Sequence, residues 1–478
     1  MSNFILEETT IEKIQAAVAA KEITYRELVM MYLERIAEYD GSLNSVSEIN
    51  PDALSAAQMM DDERTKGMLR GTLHGIPVMI KDNINTMDKM QTAAGSLALA
   101  DYYPMYDAML IQNLRNSGAI ILGKANMTEM SNWMADDMPS GYSSLRGQVK
   151  NPYNPDADPS GSSSGSAVSV AANLCTVSVG TETCGSIIGP AAANGIVGIK
   201  PSSGLLSQQG IVPISGTLDT AGTMARTVKD AAALLGGMRG QFDSMYGHGA
   251  VNVWGGGISN AAKDYTTGLE NASIRGLRIG IYHENEADPA ISEAIKKLEA
   301  AGAVITKDIQ GVTPEKPWDY IGDKIAKYEF APAISQYLNS FAYTARPQHC
   351  RSLKDIVAFN EANAEKCLKY GQSILLECLE TKGKAAESEY IKALRRRENA
   401  IKDLHKIFSQ NNLDVLVGAS EYLTIAPLTG FPAGTIPIGK KLNGIPLGMY
   451  FFARHMDETT LIRAMYAAEQ AIGQREKP

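Results

Sequence analysis

The chain has 478 residues, 44% apolar and 21% charged, with a formal net charge of −8. That is ample length for a large core and excludes a disordered or fibrous chain, while the acidic balance argues against nucleic-acid or anionic-membrane partners, which need clustered Lys and Arg. Five cysteines without framework spacing read as reduced thiols, no apolar run is long enough to span a membrane, and no CxxC or HExxH marks a metal site. The opening MSNFILEETT lacks the basic and apolar regions of a signal peptide, so a cytoplasmic protein is expected.

Two amphipathic helices are predicted first, with capping boxes at Thr9/Glu12 and Thr24/Glu27, and a third over 52–65. HGIPVMIKDNINT follows, and its apolar run Ile76 to Ile80 predicts a buried strand ending at Lys81. Taken alone, Lys81 reads as a snorkelling lysine or a partner of Asp82. Residues 109–115 predict a helix and 120–122 a strand. GAIILGK at 118–124 matches GxxxxGK but is followed by Ala125 rather than Ser or Thr, and its middle is strand-like, so it is no phosphate loop.

The stretch 159–190, PSGSSSGSAVSVAANLCTVSVGTETCGSIIGP, organises the chain. Its Ser/Gly content resembles a linker, yet 167–172 reads as a buried helix and 175–179 as a buried strand, so two Gly/Ser loops are pinned to packed structure. GSSSG at 161–165 satisfies GxSxG formally. Three prolines precede it where a nucleophile elbow needs a strand, and nothing places His405 or His455 beside it. Loop 180–186, GTETCGS, can converge backbone N–H groups on an oxyanion and end on a serine, which then needs a base.

After 190, strand and turn lead to a helix ending at Met238, then a Gly-rich irregular stretch over 239–275. A strand at 278–282, a helix at 289–301 and a strand at 304–309 continue an α/β pattern. Residues 316–410 are predicted to form a charged helical cap, with Arg395, Arg396 and Arg397 on a solvated face. Strands at 415–417, 436–438 and 447–453 and a helix from Asp457 close the chain.

GIPVMIKDNI, TAAGS at 92–96, GKANMTEMSN at 123–132, SGSSSGSA at 160–167, GTETCGSIIGPAAANGIVGIKPS at 180–202, GFPAGTIPIG and GIPLGMYFFA together resemble the amidase signature family of serine hydrolases over nearly the whole chain. The resemblance implies one α/β domain, a mixed twisted sheet covered by helices: N-terminal helices over 1–70, a catalytic core over 71–240, the cap over 316–410 and closing strands over 411–478. It implies Ser186 as nucleophile, Ser162 as a bridging serine held in a cis peptide, and Lys81 as base. Backbone N–H groups of Thr183, Cys184, Gly185 and Ser186 would hold the oxyanion, with Cys184 a loop residue and not the nucleophile. No metal or cofactor is implied.

Many family members carry Arg two residues after the nucleophile; this chain has Ile188. Branches resembling peptide amidases and aryl acylamidases lack that Arg too. The expected partner is therefore a small acyl or aryl amide, anilide, peptide amide or carbamate, with Trp133, Met134 and Phe431 as candidate pocket residues and a monomer or homodimer as the assembly. Two further readings stay open: a partner-dependent amidotransferase subunit, and an acyltransferase using the same acyl-enzyme.

Overall fold

The computed structural model describes residues 4–239, 264–283, 289–312, 317–340, 349–381, 386–419, 424–441, 443–473 and 475–478. Most of the Gly-rich stretch expected to be irregular lies outside them. In chain order the strands are β1 (Val46–Ile49), β2 (Pro77–Lys81), β3 (Ile120–Ala125), β4 (Tyr142–Ser143), β5 (Gly147–Gln148), β6 (Val177–Glu182), β7 (Val197–Lys200), β8 (Thr220–Ala225), β9 (Arg278–His283), β10 (Val304–Thr306), β11 (Val415–Ala419), β12 (Ala433–Lys440) and β13 (Pro446–Phe452). Strands β4 and β5 form a small separate ribbon. The rest build one sheet in the order β1-β3-β2-β6-β8-β7-β12-β13-β11-β9-β10.

That sheet is mixed. β3, β2 and β6 run parallel, as do β11, β9 and β10, and the strands between them pair antiparallel. β2 and β6 are buried throughout because helices cover the sheet, which is why both read as apolar runs and not as alternating patterns. Neither β1 nor β8 was visible in the sequence. β1 (VSEI) is a short, mostly half-buried edge strand, and β8 (TAGTMA) has small residues with little strand character of their own, so neighbours decide its state.

The helix Tyr25–Leu43 has the expected capping box, with Thr24 and Glu27 exchanging bonds. The first helix, Ile11–Ala19, starts one residue later than predicted. Thr10 is its cap, accepting from the Lys13 backbone N–H, because the Thr9 carbonyl is taken by Arg226. The buried helix of the central stretch is Ser164–Ala171, lying directly on the sheet beside β6.

Helices Asp323–Asn339, Leu353–Ala362 and Ser373–Thr381 pack on a second apolar cluster that includes Trp133, Met134, Phe330 and Leu353. The long helix Ser388–Gln410 also borders the main core. Its Arg397 departs from the solvated face expected of it. The guanidinium donates to the carbonyls of Leu428 and Thr429, closing the C-terminal end of the short helix Ile425–Thr429.

Candidate active site

Lys81 ends β2 inside the protein, fully buried, and neither snorkels nor pairs with Asp82. The Asp82 carboxylate instead accepts backbone N–H groups from Ala93 and Gly95 of the TAAGS loop. Lys81 Nζ lies 2.7 Å from Ser162 Oγ, 2.9 Å from Thr181 Oγ1 and 3.2 Å from the Thr181 carbonyl. Adjacent parallel strands β2 and β6 create this meeting, since both point their C-terminal ends at the same spot.

Burial pulls the Lys81 ammonium down to about 7, against the opposing pull of the Asp219 and Glu182 carboxylates. A neutral lysine amine has two N–H donors and one lone pair. The Thr181 carbonyl can only accept, while Thr181 Oγ1, which accepts from Asn83 Nδ2 at 2.9 Å, can accept a second N–H or donate its own proton. When both N–H groups of the neutral amine go to Thr181, its lone pair faces the Ser162 hydroxyl.

Ser162 follows a cis Gly161–Ser162 peptide and is fully buried. The next residue ties the two Gly/Ser loops together: Ser163 N–H donates to the Ser186 carbonyl at 3.3 Å, and its hydroxyl donates to the Thr181 carbonyl at 3.1 Å. Ser186 retains 8% exposure while Ser162 and Lys81 retain none, so of these three only Ser186 reaches open space.

The loop from Thr183 to Ser186 turns through Gly185 at φ +84, a left-handed conformation that a side chain would strain even though the space beside it is empty. Glu182 accepts the N–H groups of Ile187 and Ile188, at 2.7 and 3.1 Å, and so anchors the chain just beyond Ser186. Among the described residues, no protein acceptor takes the N–H groups of Cys184, Gly185 or Ser186. The Cys184 thiol is pushed well above its ordinary range by burial, which keeps it in the poorly nucleophilic protonated form.

A cavity of about 380 Å³ adjoins this centre through Thr181, Glu182 and Thr183 and extends past Asn83 and Gln208 to Tyr337. Among the described residues its lining holds no lysine, arginine or histidine. None of the three pocket residues expected from sequence lines it. Trp133 and Met134 are buried in the second apolar cluster, Trp133 edge-on to Trp318. Phe431 sits in the main core against Phe408, with His405 and His455 packed on it, so neither histidine is presented as a base. Sequence reasoning missed Thr181, Asn83 and Asp219. Thr181 and Asn83 fall inside the quoted motifs, which was the only signal the sequence offered for them.

The structure thus brings together a serine on a loop of unspent N–H groups, a second serine and a buried lysine, residue types from which an acyl-transferring hydrolase can be built. Comparison with known proteins makes the class specific. The Amidase family profile matches residues 27–423. A probable amidase of Arabidopsis thaliana is 37% identical over the whole chain and 92% of its own length. The native peptide amidase of Stenotrophomonas maltophilia superposes with a TM-score of 0.88 at 38% identity, covering 99% of this chain and 98% of that one. An amidase family protein of Bacillus anthracis gives a TM-score of 0.89 at 37% identity, with 99% and 92% covered. The chain belongs to the amidase family and is an amidase, hydrolysing carboxylic amide C–N bonds.

Proposed function

We propose that Ser186 is the nucleophile, Ser162 the proton bridge and Lys81 the general base. The carrying observation is the Lys81–Ser162 contact at 2.7 Å, made by an amine whose other two contacts are to Thr181. Neutral Lys81 takes the Ser162 proton as Ser162 takes the proton of Ser186. Ser186 Oγ attacks the amide carbonyl, and the N–H groups of Thr183 to Ser186 receive the oxyanion. The proton then returns through Ser162 to the leaving nitrogen, the C–N bond breaks, and water hydrolyses the acyl-enzyme by the same relay.

For the substrate we propose a neutral amide, first of all a peptide C-terminal amide. The cavity beside the centre offers hydroxyls and side-chain amides from Asn83, Ser131, Gln208 and Gln336 and no fixed positive charge, which suits peptide groups and not a free carboxylate. Ile188, buried just beyond Ser186, likewise brings no positive charge. The similarity to a peptide amidase supports the same reading. Among the described residues no helix is long and apolar enough to cross a membrane, and no cluster of three or more His, Cys, Asp or Glu stands ready for a metal.

The test is hydrolysis of a panel, propionamide, para-nitroacetanilide, a blocked dipeptide amide and an aryl N-methylcarbamate, by wild type, Ser186→Ala and Lys81→Ala. The dipeptide amide is expected to be turned over fastest, and both substitutions should abolish it. Turnover surviving in Ser186→Ala means another nucleophile. A folded wild type inert on all four, yet active with an added partner protein, means a partner-dependent subunit.

A further inference from the structure

The loop that carries the nucleophile is not held by the core alone. Thr183 Oγ1 donates to Asp219 Oδ1 at 2.6 Å. The other oxygen of Asp219 accepts the backbone N–H groups of Ile214 and Ser215, at 2.7 and 2.9 Å. Residues 211–220 form much of the cavity wall. Their outer side is gripped by one carboxylate, that of Glu329, from the cap helix Asp323–Asn339. Glu329 accepts the Ser215 hydroxyl, the Thr217 N–H at 3.1 Å and the Thr217 hydroxyl at 2.6 Å. A fourth bond comes from a second cap helix, Tyr390 OH donating at 2.8 Å. Four donors thus converge on one half-buried side chain. All are neutral, and no ion pair competes for it among the described residues.

We propose that Glu329 is a positioning residue for the oxyanion loop, acting through Ser215, Thr217 and Asp219 on Thr183, so that seating of the cap sets the loop's catalytic geometry. This rests on the reading of Thr183 to Ser186 as the oxyanion-binding loop. The cap supplies Ala333, Gln336 and Tyr337 to the cavity from the same helix that carries Glu329, and Ser340 from that helix's C-terminal cap. One rigid element therefore touches the substrate space with Ala333 and Gln336 and, one turn earlier on the same face, the loop wall with Glu329. A displacement of about 1 Å at a reacting centre is enough to cost on the order of a hundredfold in rate.

The experiment measures turnover of the blocked dipeptide amide, together with the rate of covalent labelling of Ser186 by a fluorophosphonate, which needs no knowledge of the natural substrate. Glu329→Ala should lower the maximal labelling rate and kcat by about tenfold to a hundredfold while KM moves less than about threefold, the pattern of a contact felt in the transition state. Glu329→Gln should recover most of this loss. Its carbonyl can accept the Thr217 N–H, and the hydroxyls can turn to accept from its amide. The double variant Glu329→Ala with Thr183→Val should be little worse than the worse single variant, because both cut the same path.

Three results overturn the proposal: kcat and labelling unchanged in Glu329→Ala, a rise confined to KM, or additive losses in the double variant. If Glu329→Ala does not fold, Glu329→Asp, one methylene short, carries the same test with a smaller drop. Ser186→Ala separates the two readings. If that variant still labels and turns over, the nucleophile assignment has failed, whatever Glu329 does.

Discussion

The centre built from β2, β6 and their loops and the helical cap over 323–410 are written in different ways. In the centre each function needs a particular backbone. Gly185 must take a left-handed φ, and Lys81 must stand at the end of a fully buried strand. Few residues satisfy such demands, so they appear as short recognisable strings. In the cap, Ile325, Phe330, Ile334 and Leu338 need only be apolar and spaced to face inward, and many sequences do that equally well. Chemistry is local in this chain and shape is distributed.

The sharpest way to break that contrast is Ser186→Ala. Turnover should fall roughly 10⁴-fold or more with the melting temperature little changed, since only one hydroxyl is removed. Gln336→Ala on the cap side of the cavity should move KM a few-fold and leave kcat nearly intact, measured on the same dipeptide amide. Equal effects from the two would erase the distinction.

Lys81→Met should cost about 10³-fold, within the usual range for removing a general base. It should also abolish the acid limb of the pH profile. With Lys81 held at about 7, wild-type kcat/KM should rise with pH through that value and level off above it. The stability linkage has the same sign. Between about 7 and the ordinary lysine value of 10.5, the unfolded chain binds the proton and the folded chain does not, so stability rises with pH across that window. Lys81→Met should flatten that part of the profile in chemical denaturation at several pH values.

The smallest effect is expected at Tyr337, whose hydroxyl donates to Asn85 at 2.7 Å and joins the cap to the β2 loop. Tyr337→Phe should lower stability by about 1 kcal/mol and raise KM slightly, read by melting and steady-state kinetics. A large fall in kcat instead would mean that the cap reaches the chemistry by this route too.

How much was legible follows the same division. The fold class could be named from the sequence, and the three residues proposed for the centre, Lys81, Ser162 and Ser186, each lie in a recognisable string. That Lys81 would be sealed from water and bound to Thr181 could not, because Thr181 lies 100 residues away and only the pairing of β2 with β6 brings it close. Asp219 and Glu329 were invisible for the same reason: a carboxylate on a loop and one on an amphipathic helix look solvated until something folds over them. Trp133, Met134 and Phe431 show the converse error. Large apolar residues near motif strings were expected to face substrate, but buried area favours placing them in packed clusters. β8 was missed because Ala221, Gly222 and Ala225 disfavour a strand and mask the signal of Thr220 and Thr223.

The terminal strands β1 and β10 of the long sheet are four and three residues long. A strand left open on one side offers unpaired N–H and C=O groups on which a second molecule can assemble, and its hazard grows with its length. Both ends of this sheet taper before that hazard becomes large. Among the described residues the sheet is eleven strands wide, yet its short ends offer little template for edge-to-edge pairing.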